Sequence, residues 1–160
     1  MPSDPLILTY LDDLVDTLAT MSRANGYHFD YGQVEEDKDI DFDGAADLER
    51  PPISVAWAGE AEQESIYGGE TAANRFRHYE RIQIGVPIKD EDGFHSRKAF
   101  RVRADIHAAL MAGTSRARGS EGRAGTTDTL SAYSGNQDGG VLIVTYHIRW
   151  DHVLGDHSTQ

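Results

Sequence analysis

The chain of 160 residues contains no cysteine. That absence removes disulfide frameworks, thiolate zinc sites and cysteine nucleophiles together. Long apolar runs are missing as well: no stretch approaches the roughly 20 apolar residues a bilayer span needs, so membrane spans are excluded. Met1-Pro2-Ser3-Asp4 places no basic segment ahead of an apolar run, so no secretory signal is expected and synthesis in the cytoplasm is. Basic charge is scarce too, with 15 Lys and Arg against 27 Asp and Glu and a formal charge of −12. Affinity for nucleic acid comes mostly from Lys and Arg neutralising phosphates, so this balance argues against tight binding of DNA or RNA.

What is present fits a globular protein: 39% hydrophobic and 26% charged residues over a length that defaults to a single domain spanning 1–160. The negative charge is placed unevenly. Residues 1–50 hold 13 carboxylates and three basic groups, a balance of −10, and the remaining residues hold a balance of only −2. Charge gathered in this way marks either a solvated acidic loop or a surface with an electrostatic task.

Leu6, Ile7, Tyr10, Leu11, Leu14, Val15, Leu18 and Met21 recur at helical spacing, with Ser3 or Asp4 as cap, Pro5 in the first turn and Gly26 as stop, which predicts a helix from about 4 to 24. Its apolar arc covers about half the circumference at about 100° per residue, wide enough for burial against a sheet and a neighbouring subunit. Tyr27, Phe29 and Tyr31 alternate with polar residues and predict a short strand ending near Val34. Glu35 to Glu49 holds eight carboxylates and reads as a solvated loop closed by Pro51-Pro52. Ile53, Val55 and Trp57 alternate as the next strand, a polar connection with Gly68-Gly69 follows, and Ile82, Ile84, Val86 and Ile88 share one face of a further strand.

A second helix is expected from about His95 to Ala112, with Ala99, Val102, Ile106, Ala109 and Leu110 inward and Arg97, Arg101 and Asp105 opposite. Residues 113–128 contain no large apolar side chain and read as a mobile basic loop. Leu130–Tyr133 and Val141–Trp150 make a closing hairpin, whose last strand, apolar on both faces at Val141–Val144, is expected to be central. Strands in consecutive hairpins with two separate helices indicate an α+β fold, an antiparallel or mixed sheet of about four to five strands with two helices packed on one face.

Chemistry-bearing patterns are weak. Asp39-x-Asp41-x-Asp43-Gly44 opens like a calcium loop, but its twelfth position is Arg50 rather than a bidentate acid, which leaves Asp39, Asp41 and Asp43 a weak metal candidate. His147, His152 and His157 lack the spacing of a zinc site. No Gly-x-Ser-x-Gly elbow and no phosphate loop occurs, so neither catalytic residues nor a cofactor is expected. Arg75, Arg77 and Arg81 alternate beside Phe76 and Tyr79, a pattern that fits a base-stacking platform and equally an interfacial strand face; the total charge favours the second. Three polar loops of 16 residues, 35–50, 59–74 and 113–128, take up about a third of the chain. Loops longer than about 12–15 residues are uncommon in a compact domain unless they serve a function, and three of them point to contact with other proteins.

In order and spacing, LILTYLDDLVDTLA, PPISVAWAGEA, FRHYERIQIGVPI, KAFRVRADIHAALMAG and the terminal VLIVTYHIRW resemble the tail terminator (tail completion, minor tail) proteins of tailed bacteriophages over most of residues 4–152. The resemblance implies a virion protein, made in the host cytoplasm, that forms a hexameric ring on the head-proximal end of the tail tube. There it stops polymerisation of the tube protein and docks the head-completion complex, while DNA passes through the bore without being gripped. It carries over no catalytic residues. On this reading the interface and bore candidates are Glu35, Glu36, Asp37, Asp39, Asp41 and Asp43 on the acidic loop, Tyr67, Arg75 and Arg77 around the second loop, and Arg116, Arg118 and Arg123 on the third. The alternatives are another neck component, such as a head–tail stopper or adaptor, or a small metal-binding module or enzyme built on Asp39–Asp43.

Overall fold

The structure, a computed structural model, describes residues 6–36, 49–66, 75–89, 97–112, 126–127 and 139–153. In chain order these form helix α1 (Leu6–Ala19), a 3-10 turn (Arg23–Asn25), strands β1 (Val34–Glu36), β2 (Ile53–Ile66) and β3 (Arg75–Lys89), helix α2 (Arg97–Ala112), and strands β4 (Thr126–Thr127) and β5 (Gly139–Val153). The strands make one mixed sheet in the order β1-β2-β3-β5-β4, with β1 parallel to β2 and every other pair antiparallel. The α+β class is therefore the observed one.

One core joins both helices to one face of the sheet. Val55, Ile84 and Val144 stand side by side across β2, β3 and β5, and Ile53, Ile82, Val86, Ile88 and Leu142 extend the same face. Tyr10, Leu14 and Leu18 from α1, Met21 just beyond it, and Val102, Ile106, Ala109 and Leu110 from α2 close over it. No helix among the described residues is long and apolar enough to cross a membrane.

Local chemistry moves several boundaries. α1 stops at Ala19, short of the expected 24, because Thr17 and Thr20 turn their hydroxyls onto the carbonyls of Asp13 (2.9 Å) and Thr17 (2.7 Å), competing with the helical ladder. Ser22 is then extended, and the helix-like signal up to Asn25 is the separate 3-10 turn, which Gly26 ends at φ 91° by donating to the Arg23 carbonyl.

The alternation of Tyr27, Phe29 and Tyr31 does not make a strand. Backbone N–H groups must find acceptors somewhere. Those of His28 and Phe29 find the Asp105 carboxylate, and that of Tyr31 finds the Met21 carbonyl at 3.3 Å. The strand is Val34–Glu36 instead, pairing parallel with Ile53–Val55. Parallel neighbours need a crossover of about a dozen residues or more, so the acidic segment is long because it must carry the chain back to the start of β2. Its two ends meet where the Gly32 N–H donates to the Pro51 carbonyl at 2.8 Å; a Cβ at Gly32 would sit 2.7 Å from the Arg50 carbonyl oxygen.

The first half of the expected 59–74 loop, residues 59–66, is strand, and residues 67–74 lie outside the described residues. β2 runs to Ile66 and β3 begins at Arg75, with register shifts in β2 between Trp57 and Glu62 around Gly59 at φ 93°. The expected loop 113–128 likewise ends in strand, since Thr126 and Thr127 pair with Tyr146 and Thr145; Leu130–Tyr133 lie outside the described residues. β5 lies between β3 and β4, with two described residues paired on its outer side, and β3, paired with β5 over its whole length and with β2 over residues 75–85, is the middle strand of the five. His95 and Ser96, the expected start of the second helix, also lie outside the described residues.

Candidate functional site

Asp105 sits at the polar edge of the α2 pattern in sequence, grouped with Arg97 and Arg101, yet it is buried with 2% of its surface exposed. Spacings of three and four from Val102 and Ala109 put it within the inward arc. Burial of a carboxylate requires partners, and the chain brings them from 77 residues away. The His28 backbone N–H reaches both carboxylate oxygens at 3.0 Å, the His28 Nδ1 lies 2.7 Å from Oδ1, the Phe29 N–H donates at 3.3 Å, and the Tyr31 hydroxyl donates at 2.9 Å. Burial, the Asp105 charge and this hydrogen bond push the Tyr31 hydroxyl well above the ordinary tyrosine range, so Tyr31 remains a donor. The His28 side chain is half exposed, while Asp105 is enclosed. With both oxygens occupied, the carboxylate is a latch that ties the α1–β1 connection to α2 and so aims the chain into the acidic crossover.

The second feature is an arm. At about 3.3 Å per residue, strands of 14 and 15 residues run about 45–50 Å, whereas the 16-residue α2 spans about 24 Å. The core face of β3 reads Ile82, Ile84, Val86 and Ile88 beneath the helices; beyond them the same face reads Glu80 and His78, both buried and polar. Glu80 accepts a 2.8 Å hydrogen bond from the indole N–H of Trp57, which is otherwise 58% exposed. A carboxylate and an amphipathic indole at the mouth of the core end the apolar layer while keeping the polar atoms satisfied.

On the other face of the arm, register sets Arg77 between Glu64 and Asp151, and Tyr79 between Glu62 and Arg149. Arg75 pairs with Ile66 and Val153, and Arg81 with His147. Phe76 occupies the opposite face, paired with Ser65 and His152. Of these arginines, Arg77 is the one whose register positions on both neighbouring strands are acids. An acid on each flank disfavours a run of phosphates at that position.

Glu35 and Glu36 are not loop residues but β1 positions, paired with Ser54 and Val55. Asp37, Asp39, Asp41, Asp43, Tyr67, Arg116, Arg118 and Arg123 lie outside the described residues, the weak calcium candidate with them. His28, Tyr31, Asp105, Trp57 and Glu80 were missed by sequence reasoning. The available signal was the spacing of Asp105 inside an apolar arc; nothing local in 27–31 identifies its partner. No family model matches this chain, and no curated protein matches it.

Proposed function

We propose that the chain is a structural subunit of a tailed-phage neck, a terminator that forms a ring on the head-proximal end of the tail tube, ends tube polymerisation and joins the tail to head-completion proteins. The observation that carries this reading is the extension of the sheet past the helices: strands of 14 and 15 residues run about 45–50 Å against about 24 Å for α2, and the register there pairs Arg77 with Glu64 and Asp151.

The physics of a ring suits such a subunit. Closed rings use two different, complementary surfaces on each copy. The acidic crossover after β1 starts from a fixed point, since the Asp105 latch and the Gly32–Pro51 hydrogen bond hold both its ends. Facing the bore, its carboxylates would repel DNA phosphates and let DNA slide past without tight binding. A ring image with residues 37–48 on the outer rim would overturn that placement.

The direct test is to add the purified chain to polymerising tail-tube protein and measure tube length by electron microscopy. Shorter tubes carrying an extra ring of density at one end are expected. Tubes that lengthen as freely with the chain as without it would overturn the reading.

A further inference from the structure

Neither helix is apolar on its core side alone. On α2, Phe100 and Met111 remain 53% and 67% exposed, and the exposed Ala104 and Ala108 lie between them. Spacings of four, four and three set these residues on one line, about 180° around the helix from the core line at about 100° per residue. The outward face of an amphipathic helix is where charge belongs. Here the charge is confined to one end of the line, with exposed Arg97 continuing it and exposed Arg101 beside it.

On α1 a second apolar line runs from Leu8, which is 44% exposed, to exposed Ala19, with half-buried Leu11 and Val15 between them, whose inner sides pack against the core. It lies about 110° from the buried line of Tyr10, Leu14 and Leu18. Exposed Asp12 and Asp16 border it. The two helices are opposite in charge: α1 has three aspartates and no basic residue, and α2 has four basic residues and a single acid, Asp105, which is already enclosed.

We propose that these two strips are the two halves of one contact between copies: the Leu8–Val15 strip of one chain docks on the Phe100–Met111 strip of the next, with Asp12 and Asp16 set against Arg97 and Arg101. A second copy is the occupant because both the apolar match and the charge match are present within one sequence, and because opposed local charges offset the repulsion between two chains of net charge −12. The contact is heterologous, so each copy keeps one strip of each kind and the series closes only as a ring. The inference rests on the ring reading for that closure.

The test is a charge exchange on the full-length chain, read as mass in solution by light scattering over a range of concentrations. Arg97→Glu with Arg101→Glu is one variant, and Asp12→Lys with Asp16→Lys is the other; all four positions are exposed, and circular dichroism checks that both fold. Each variant alone sets like charges together and is expected to weaken association about tenfold or more. Mixed in equal amounts, the two restore it, because every contact in an alternating series again joins opposite charges. Variants that associate like the wild type, a mixture that stays dissociated, or a wild type that remains monomeric at every concentration would each overturn the proposal. A mixture that reassembles but leaves tail tubes uncapped would overturn the terminator reading and leave the contact standing.

Discussion

The two ends of the sheet are built from the same three strands but on different terms. Under the helices, one face of β3 is isoleucine and valine at every second position, each fully or almost fully enclosed, and its neighbours present Val55, Leu142 and Val144. In the arm the pairing continues without interruption between β3 and β5, but the residues at paired positions are Arg77 with Asp151 and Glu64, and Tyr79 with Glu62 and Arg149. The first half stabilises the fold through area removed from water. The second is held together by the backbone ladder that continues through it. A fold can therefore extend a sheet well past its core, provided the extension has partners on both flanks.

The comparison is broken most severely at the latch. Asp105→Ala leaves the buried Tyr31 hydroxyl and the part-buried donors of His28 and Phe29 without their acceptor and is expected to cost about 3 kcal/mol or more, read as a lowered urea midpoint. Ile106→Ala empties a fully enclosed site and is expected to cost about 3 kcal/mol by the same measurement. Gly32→Ala forces a methyl group against the Arg50 carbonyl, which is backbone and cannot swing aside; a loss of about 2 kcal/mol is expected, with the start of β2 the first region to exchange its amide hydrogens.

Tyr31→Phe is the finer probe, because its effect depends on pH. In the unfolded chain Tyr31 releases its proton near the ordinary value of about 10, while in the folded chain burial and Asp105 hold it well beyond that. The unfolded state binds fewer protons above about pH 10, so stability should fall as pH rises through this range. Tyr31→Phe removes that share of the slope and costs about 1 kcal/mol at neutral pH for the lost hydrogen bond. Denaturant midpoints measured between about pH 8 and 11 check both effects. The smallest expected change is in the arm: Arg77→Ala should shift stability by less than about 1 kcal/mol, since a cross-strand charge pair contributes no more than that.

The helix-covered half was the legible part of the sequence. Tyr10, Leu14 and Leu18 on α1, the inward set of α2, and the alternation from Ile82 to Ile88 are periodic signals that burial enforces, and they led directly to the α+β class. The arm was hidden because residues 59–66 have no apolar alternation. They are strand by virtue of the β3 positions opposite them, which is information of long range. The latch was hidden for a related reason. Alternating aromatics at 27–31 look like a strand until the Asp105 carboxylate, carried on a helix far along the chain, takes up their backbone donors. The length of the acidic segment was plain, but the need for it lies in the parallel pairing of β1 with β2, which composition does not encode, and its first two acids, Glu35 and Glu36, are strand.

The most direct measurement of the claim that one half holds the fold and the other meets partners is amide hydrogen exchange on the chain alone and in the presence of tail-tube protein. Protection should rise in the arm, at residues 60–66, 75–81 and 147–153, and stay constant at Ile82–Ile88 and along the core face of α2. Equal exchange in the arm with and without the tube protein would contradict the account.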